Sequence, residues 1–192
     1  MYNPKDISNF KRNVRKVNQL AEEDPVAACF KRIKEGDLKE IWISEQRQDV
    51  HGRLTHAFLM PKSAVNLARV FGDVQVSDST FQTNKHGFPL LDICVLDSQY
   101  KTVTVAFALL KKDEVSEEDY VWILTAYRQV VFSDVATLPR VWVVDRELAF
   151  MKAVQEVFPD VYIIICFWHV EKAIEGHLKS TRLTPRITKD EW

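Results

Sequence analysis

Glycine is scarce in this chain: there are five in 192 residues, and they do not cluster. That excludes the Gly-rich loops that cradle phosphates and the fingerprint of dinucleotide-binding domains. Cysteine is scarcer still. Cys29, Cys94 and Cys166 are odd in number and far apart, which speaks against a disulfide framework and for a reducing compartment, nucleus or cytosol. Neither sign of charge dominates: 26 Lys and Arg face 27 Asp and Glu, a net charge of −1. No global field calls for nucleic acid, so any basic surface must be local. No apolar run approaches the roughly 20 residues of a membrane span, and the polar N-terminus shows no secretory signal. A protein that is neither membrane-bound nor secreted is expected.

The composition, 46% hydrophobic and 28% charged, is that of an ordinary globular chain. Residues 1–71 read as a helical and hairpin extension. Val14, Val17 and Leu20 suit a first helix. Lys5, Lys11, Arg12, Arg15 and Lys16 form a modest basic arm around it, more readily a solvated face than a DNA contact. A second helix starts at Pro25 and ends at Gly36. Short strands are expected over 38–43 and 51–60, and Pro61-Lys62-Ser63 opens a helix over Ala64, Leu67, Ala68 and Phe71.

The pattern changes at Gly72. Strands over 74–81, 90–96 and 102–110, joined by short turns, form an antiparallel meander. Ser116 can cap the next helix with Asp119 three residues on, and Tyr120, Ile123, Leu124, Tyr127 and Val131 give it an apolar stripe. VWVVD then reads as a strand buried on both faces and ending at Asp145. A helix over Phe150, Ala153, Val154 and Val157 stops at Pro159. VYIIIC, residues 161–166, reads as a second buried strand. A last helix carries Val170, Ala173, Ile174, His177 and Leu178 on one stripe. The order predicts an α/β fold: three antiparallel and two parallel strands in one mixed sheet flanked by helices, the ribonuclease-H-like (RNase H-like) arrangement. The core is expected over 72–179, with a polar tail at 180–192.

Asp78 and Asp145 carry the chemistry this pattern suggests. In VQVSDSTF, residues 74–81, Asp78 shares a strand face with Val74 and Val76. If those valines face the core, a carboxylate sits on a buried face, which is costly unless it is paired, hydrogen-bonded or holding a metal. Right-handed crossovers bring Asp145 beside it. Two adjacent carboxylates repel, and Mg²⁺ or Mn²⁺ would remove the conflict. Two such ions can activate a nucleophilic oxygen and stabilise the leaving oxygen of a phosphodiester. Asp145 can equally cap the helix that follows, and neighbouring Ser or Thr hydroxyls can equally bind Asp78. No third acid presents itself: Glu147, Glu156, Glu171 and Glu175 fall on helices and are expected to face solvent. Cys166 and His169 sit three apart at a strand-to-helix junction. They could be half a zinc site, but no second pair accompanies them, so packing or hydrogen bonding is the simpler reading.

Residues 72–96 resemble the opening of the Mutator-like element (MULE) transposase domain. Asp78, Thr80, Phe81, Thr83, Asn84, Pro89 and Leu90 fit its pattern. Glu118, Tyr120 and Trp122 are similar to its acidic-aromatic-Trp helix, Val144-Asp145 to its second catalytic aspartate, and Cys166-Phe167-Trp168-His169 to its Cys-x-x-His signature. Arg146 and Asp92 depart from the family's usual residues. Relatives with the same resemblance are the far-red-response transcription regulators and the SWIM zinc-finger proteins. The resemblance implies an Asp-Asp-Glu (DDE) site in which Asp78 and Asp145 are catalytic and bind Mg²⁺ or Mn²⁺. It implies DNA as partner, with possible self-association, a nuclear or cytoplasmic location, and no small-molecule cofactor. In the family the Glu follows a helical insertion well beyond the Cys-x-x-His. The expectation is a fragment of a transposase catalytic domain, for cleavage and strand transfer, that is inactive alone. The alternative is a domesticated, non-catalytic nuclear DNA-binding or transcription-regulatory protein.

Overall fold

A computed structural model describes residues 25–80, 87–111, 115–134 and 137–180. The basic arm and first expected helix, most of the turn after the first core strand, and the tail beyond Ser180 lie outside the described residues. The elements are α1 (Pro25–Glu35), β1 (Trp42–Gln48), β2 (Leu54–Pro61), α2 (Lys62–Val70), β3 (Val74–Thr80), β4 (Leu90–Leu96), β5 (Thr102–Leu109), α3 (Glu117–Phe132), β6 (Val141–Val144), α4 (Leu148–Val157), β7 (Tyr162–Ile165) and α5 (Phe167–Ser180). The first strand lies further along than its weak alternation suggested, over 42–48 rather than 38–43.

All seven strands join one sheet in the order β1-β2-β5-β4-β3-β6-β7. β3, β4 and β5 are the antiparallel meander. β6 lies parallel to β3, and β7 parallel to β6. This is the RNase H-like mixed sheet. The β1–β2 hairpin lengthens it through antiparallel pairing of β2 with β5.

One face of the sheet carries the main core. Leu91, Ile93 and Val95 of β4 and Trp142 and Val144 of β6 pack there against Ala64 and Ala68 of α2, the α3 stripe, and Phe150, Ala153 and Val154 of α4. The α3 cap is as its sequence predicts: the Asp119 carboxylate accepts Ser116 N–H at 2.7 Å and the Ser116 hydroxyl at 2.6 Å. Buried Asp119 also meets Lys111 Nζ at 2.9 Å and His56 Nε2 at 3.0 Å. On the opposite face α1 covers the β1-β2-β5 end, where Phe30 and Ile33 pack on Trp42, Ala57 and Leu59.

Three expectations are reversed. The alternation of β3 is real, but its polarity is inverted: Gln75 and Ser77 are buried, and Val74 and Val76 lie on the half-covered face with Asp78. Aromatic donors account for this. Tyr127 Oη donates to Gln75 Oε1 at 2.9 Å, Gln75 Nε2 donates to Gly72 O at 2.9 Å, and Trp142 Nε1 donates to Ser77 Oγ at 2.9 Å. A core of Tyr and Trp needs acceptors, and β3 supplies them. Second, among the described residues β7 lies at the edge of the sheet. Tyr162 is 77% exposed and Ile164 50%, so its apolar run does not mark a strand buried on both faces. Third, α5 buries none of its residues, and the stripe expected there does not meet the core.

Candidate metal and phosphodiester site

Parallel pairing of Val74 with Val141 and Val76 with Val143 sets β3 and β6 in step. Asp78 near the end of β3 and Asp145 just after β6 therefore reach the same, carboxyl end of the sheet, the edge where open α/β sheets place their sites. Each carboxylate is about half exposed, Asp78 at 51% and Asp145 at 50%. The cost of a buried acid expected for Asp78 is absent, because its side chain is half exposed. Asp145 does not cap α4, whose N-cap is Glu147; its Oδ1 accepts the Arg146 N–H at 2.6 Å.

The group that joins the two aspartates is His169. Its Nε2 stands 3.4 Å from Asp78 Oδ1, and its Nδ1 stands 4.0 Å from Asp145 Oδ1. The Cys-x-x-His spacing explains this placement. Cys166 N–H donates to Val144 O at 2.7 Å, the last rung between β7 and β6, and its carbonyl accepts Val170 N–H at 3.2 Å as α5 begins. One turn of helix then carries His169 from that anchor to the aspartates. Cys166 is thus held by its backbone. Among the described residues no three His, Cys, Asp or Glu side chains are already placed to hold an ion.

Two further acids adjoin the pair. Asp92 of β4 is the cross-strand partner of Asp78 and shares its face. Burial pushes the neighbouring Cys94 thiol up, and the charges of Asp92 and Asp78 push it the same way. Glu147 does not face solvent as expected: its Oε1 accepts a 2.6 Å hydrogen bond from Tyr120 Oη, which also lies 3.5 Å from Ser79 Oγ. Burial, then the Glu147 contact, raises the Tyr120 phenol above its ordinary value. Tyr120 therefore stays a neutral donor. Its place in the acidic-aromatic-Trp motif was the signal for this role.

A mixed sheet in this order, with acids at the carboxyl ends of adjacent parallel strands, defines the RNase H-like class. Within it, the chain belongs to the family described as the MULE transposase domain, whose profile matches residues 74–173. Two curated relatives are similar to it. Protein FAR1-RELATED SEQUENCE 2 of Arabidopsis thaliana is 27% identical over 143 residues, covering 74% of this chain and 16% of the relative. A PKS-NRPS hybrid synthetase, cheA, of Chaetomium globosum is 28% identical over 179 residues, covering 91% of this chain and 4% of the relative. The chain thus spans a small part of either protein. Among solved structures, the HTLV-2 integrase catalytic core domain in complex with magnesium aligns with a TM-score of 0.33 and 13% identity, over 62% of this chain and 79% of that one. No described helix is long and apolar enough to cross a membrane.

Proposed function

We propose that the chain is part of a Mutator-like DNA transposase catalytic domain in which Asp78 and Asp145 bind Mg²⁺ or Mn²⁺. The observation that carries this reading is their convergence at the carboxyl ends of β3 and β6, with His169 between them. The donor set suits such an ion: two half-exposed carboxylates supply hard oxygen ligands, and the His169 Nδ1 atom is buried without a hydrogen-bond partner. A bound divalent cation would supply Lewis-acid activation of water or a 3′-hydroxyl and charge stabilisation at the scissile phosphate. The protein's own part is to fix the acids on strand ends, with the Tyr120–Glu147 bond steadying the loop that carries Asp145. DNA is the proposed partner and the nucleus the proposed location. The proposed domain limits are 1–71 for the extension and 72–179 for the core.

The family's third acid, a Glu beyond a helical insertion, is not matched in this chain, so residues 1–192 alone are proposed to be inactive. Calorimetry tests the site: Asp78→Asn and Asp145→Asn should each weaken Mn²⁺ binding while far-UV circular dichroism stays unchanged. Unchanged Mn²⁺ affinity in both variants overturns the metal site. Robust Mg²⁺-dependent nicking of DNA by purified 1–192, lost in Asp145→Ala, overturns the proposed inactivity. A second reading, a domesticated regulator that keeps the fold for DNA contact, draws support from the lack of a preassembled three-ligand group among the described residues. DNA binding that persists in the doubly substituted Asp78→Asn/Asp145→Asn chain would favour it.

A further inference from the structure

We infer that the β7 edge and the start of α5 form a two-fold interface with a second copy of this chain, in which the two β7 strands pair antiparallel. The inference is independent of the metal site proposed above.

Among the described residues the sheet ends in two edges, and they differ. β1 carries Glu45 and Arg47, and its ladder slips between Arg47 and Gln48. Charges and bulges are the usual means of keeping an edge from pairing. β7 has neither. Its pairing with β6 runs in register from Tyr162 to Ile165, and residues 161–170 contain no Lys, Arg, Asp or Glu. The hydrogen-bonding groups for a further strand are in place. Tyr162 N–H donates to Arg140 O at 2.9 Å, and Cys166 N–H donates to Val144 O at 2.7 Å. Successive residues of a ladder direct these groups to opposite sides, so Ile163 and Ile165 turn theirs to the open edge.

A second β7 matches that edge. With the strands antiparallel about a two-fold axis, Ile163 stands opposite its own counterpart and Tyr162 opposite Ile164, an aromatic and β-branched pair on one face. A contact that uses the same patch on both copies closes as a dimer. The apolar area is of the size a dimer needs. Tyr162, Phe167 and Trp168 are each more than half exposed, which leaves on the order of 400 Å² of aromatic surface in water. Ile164, Ile165 and Ile174, each more than a third exposed, bring the patch toward the roughly 800 Å² that each partner gives to a standard interface. Depletion of charge with enrichment in aromatics is the composition of an interface core. Helix α5 buries none of its residues in its own chain, so its apolar side is open to the same contact.

Sedimentation of the full 192-residue chain should show a monomer–dimer equilibrium with a dissociation constant of about 10 μM or below. Ile164→Lys sets two like charges beside the axis and should weaken association at least about tenfold, with far-UV circular dichroism unchanged. Val50→Lys, in the exposed β1–β2 turn, should leave association as it is. Amide exchange at Ile163 and Ile165 should slow as concentration rises, which reads strand pairing and not general apolar clustering. A chain that stays monomeric across this range overturns the inference. So does a dimer that Ile164→Lys leaves intact, or one whose Ile163 and Ile165 amides exchange as fast as in the monomer. Monomers in which those amides are protected at every dilution would put another segment of the same chain on the edge, and overturn it equally.

Discussion

The Tyr120 hydroxyl donates a 2.6 Å hydrogen bond to Glu147 Oε1, and by that bond helix α3 holds the loop that presents Asp145. The contact is half-buried and charge-assisted, so it is stronger than a typical surface bond.

Tyr120→Phe removes the hydroxyl and leaves the Glu147 carboxylate without its donor. The expected loss of stability is about 1–2 kcal/mol, read from urea denaturation. Amide exchange over 146–148 should quicken. A variant that unfolds at the parent's urea midpoint with unchanged exchange would show the tether to be idle.

The polar pair in the core makes a second prediction. Gln75→Leu strands the Tyr127 hydroxyl and the Gly72 carbonyl, and each stranded buried group costs about 1–3 kcal/mol. Tyr127→Phe in the same chain removes one of them. The double variant should therefore be more stable than the sum of the two single losses predicts. Strict additivity in a double-mutant cycle would show that the 2.9 Å bond between them carries no net energy.

Acid should destabilise the fold in two stages through His56 and Asp119. Burial lowers the His56 proton affinity below its usual value, against the pull of Asp119. The folded state therefore favours the neutral ring, and stability falls as pH drops below the ordinary histidine range. Burial also opposes the Asp119 charge, but hydrogen bonds from Ser116 and Lys111 outweigh it and hold the carboxyl down at about 2. Its contribution is complete above the ordinary aspartate value of about 4 and is lost as pH falls from there toward 2. Thermal melts between pH 7 and pH 2 should show both declines, and Asp119→Asn should remove the lower one. A melting temperature independent of pH between 7 and 5 would contradict the role of His56.

Gly72→Ala should be costly for reasons of space. A Cβ there would lie 2.6 Å from the Ala68 carbonyl oxygen and 3.2 Å from the Phe132 ring. The carbonyl belongs to the end of α2 and cannot swing aside as a side chain could. The expected destabilisation is about 2 kcal/mol, in the range of overpacked cores. A neutral effect on the urea midpoint would mean that the α2–β3 junction can yield.

The order of elements was legible in the sequence because each is announced locally. The Ser116–Asp119 cap, the Tyr120 to Val131 stripe and the stop at Pro159 are short-range signals, and the meander turns are spaced to match. The meeting of Asp78 and Asp145 was legible too, since crossover handedness fixes which strands adjoin. What failed depended on which face or edge an element would meet. Val74 and Val76 look like core residues until Tyr127 and Trp142, distant in sequence, demand polar partners from Gln75 and Ser77. The apolar letters of β7 do not say that, among the described residues, no strand pairs beyond it. The approach of His169 required knowing that α5 begins against the end of β6, which no spacing within Cys-x-x-His reveals.

The pairing of β2 with β5 has a consequence for where this chain can be cut. The matched segment begins at Val74, yet Phe107 and Leu109 of β5 pack against the cluster built by Ala57, Leu59 and α1, and the outer edge of β5 is closed by β2. A polypeptide trimmed to 74–173 would present that edge as an open ladder, ready to pair with another copy. In this chain the matched stretch is therefore smaller than the sheet that closes around it.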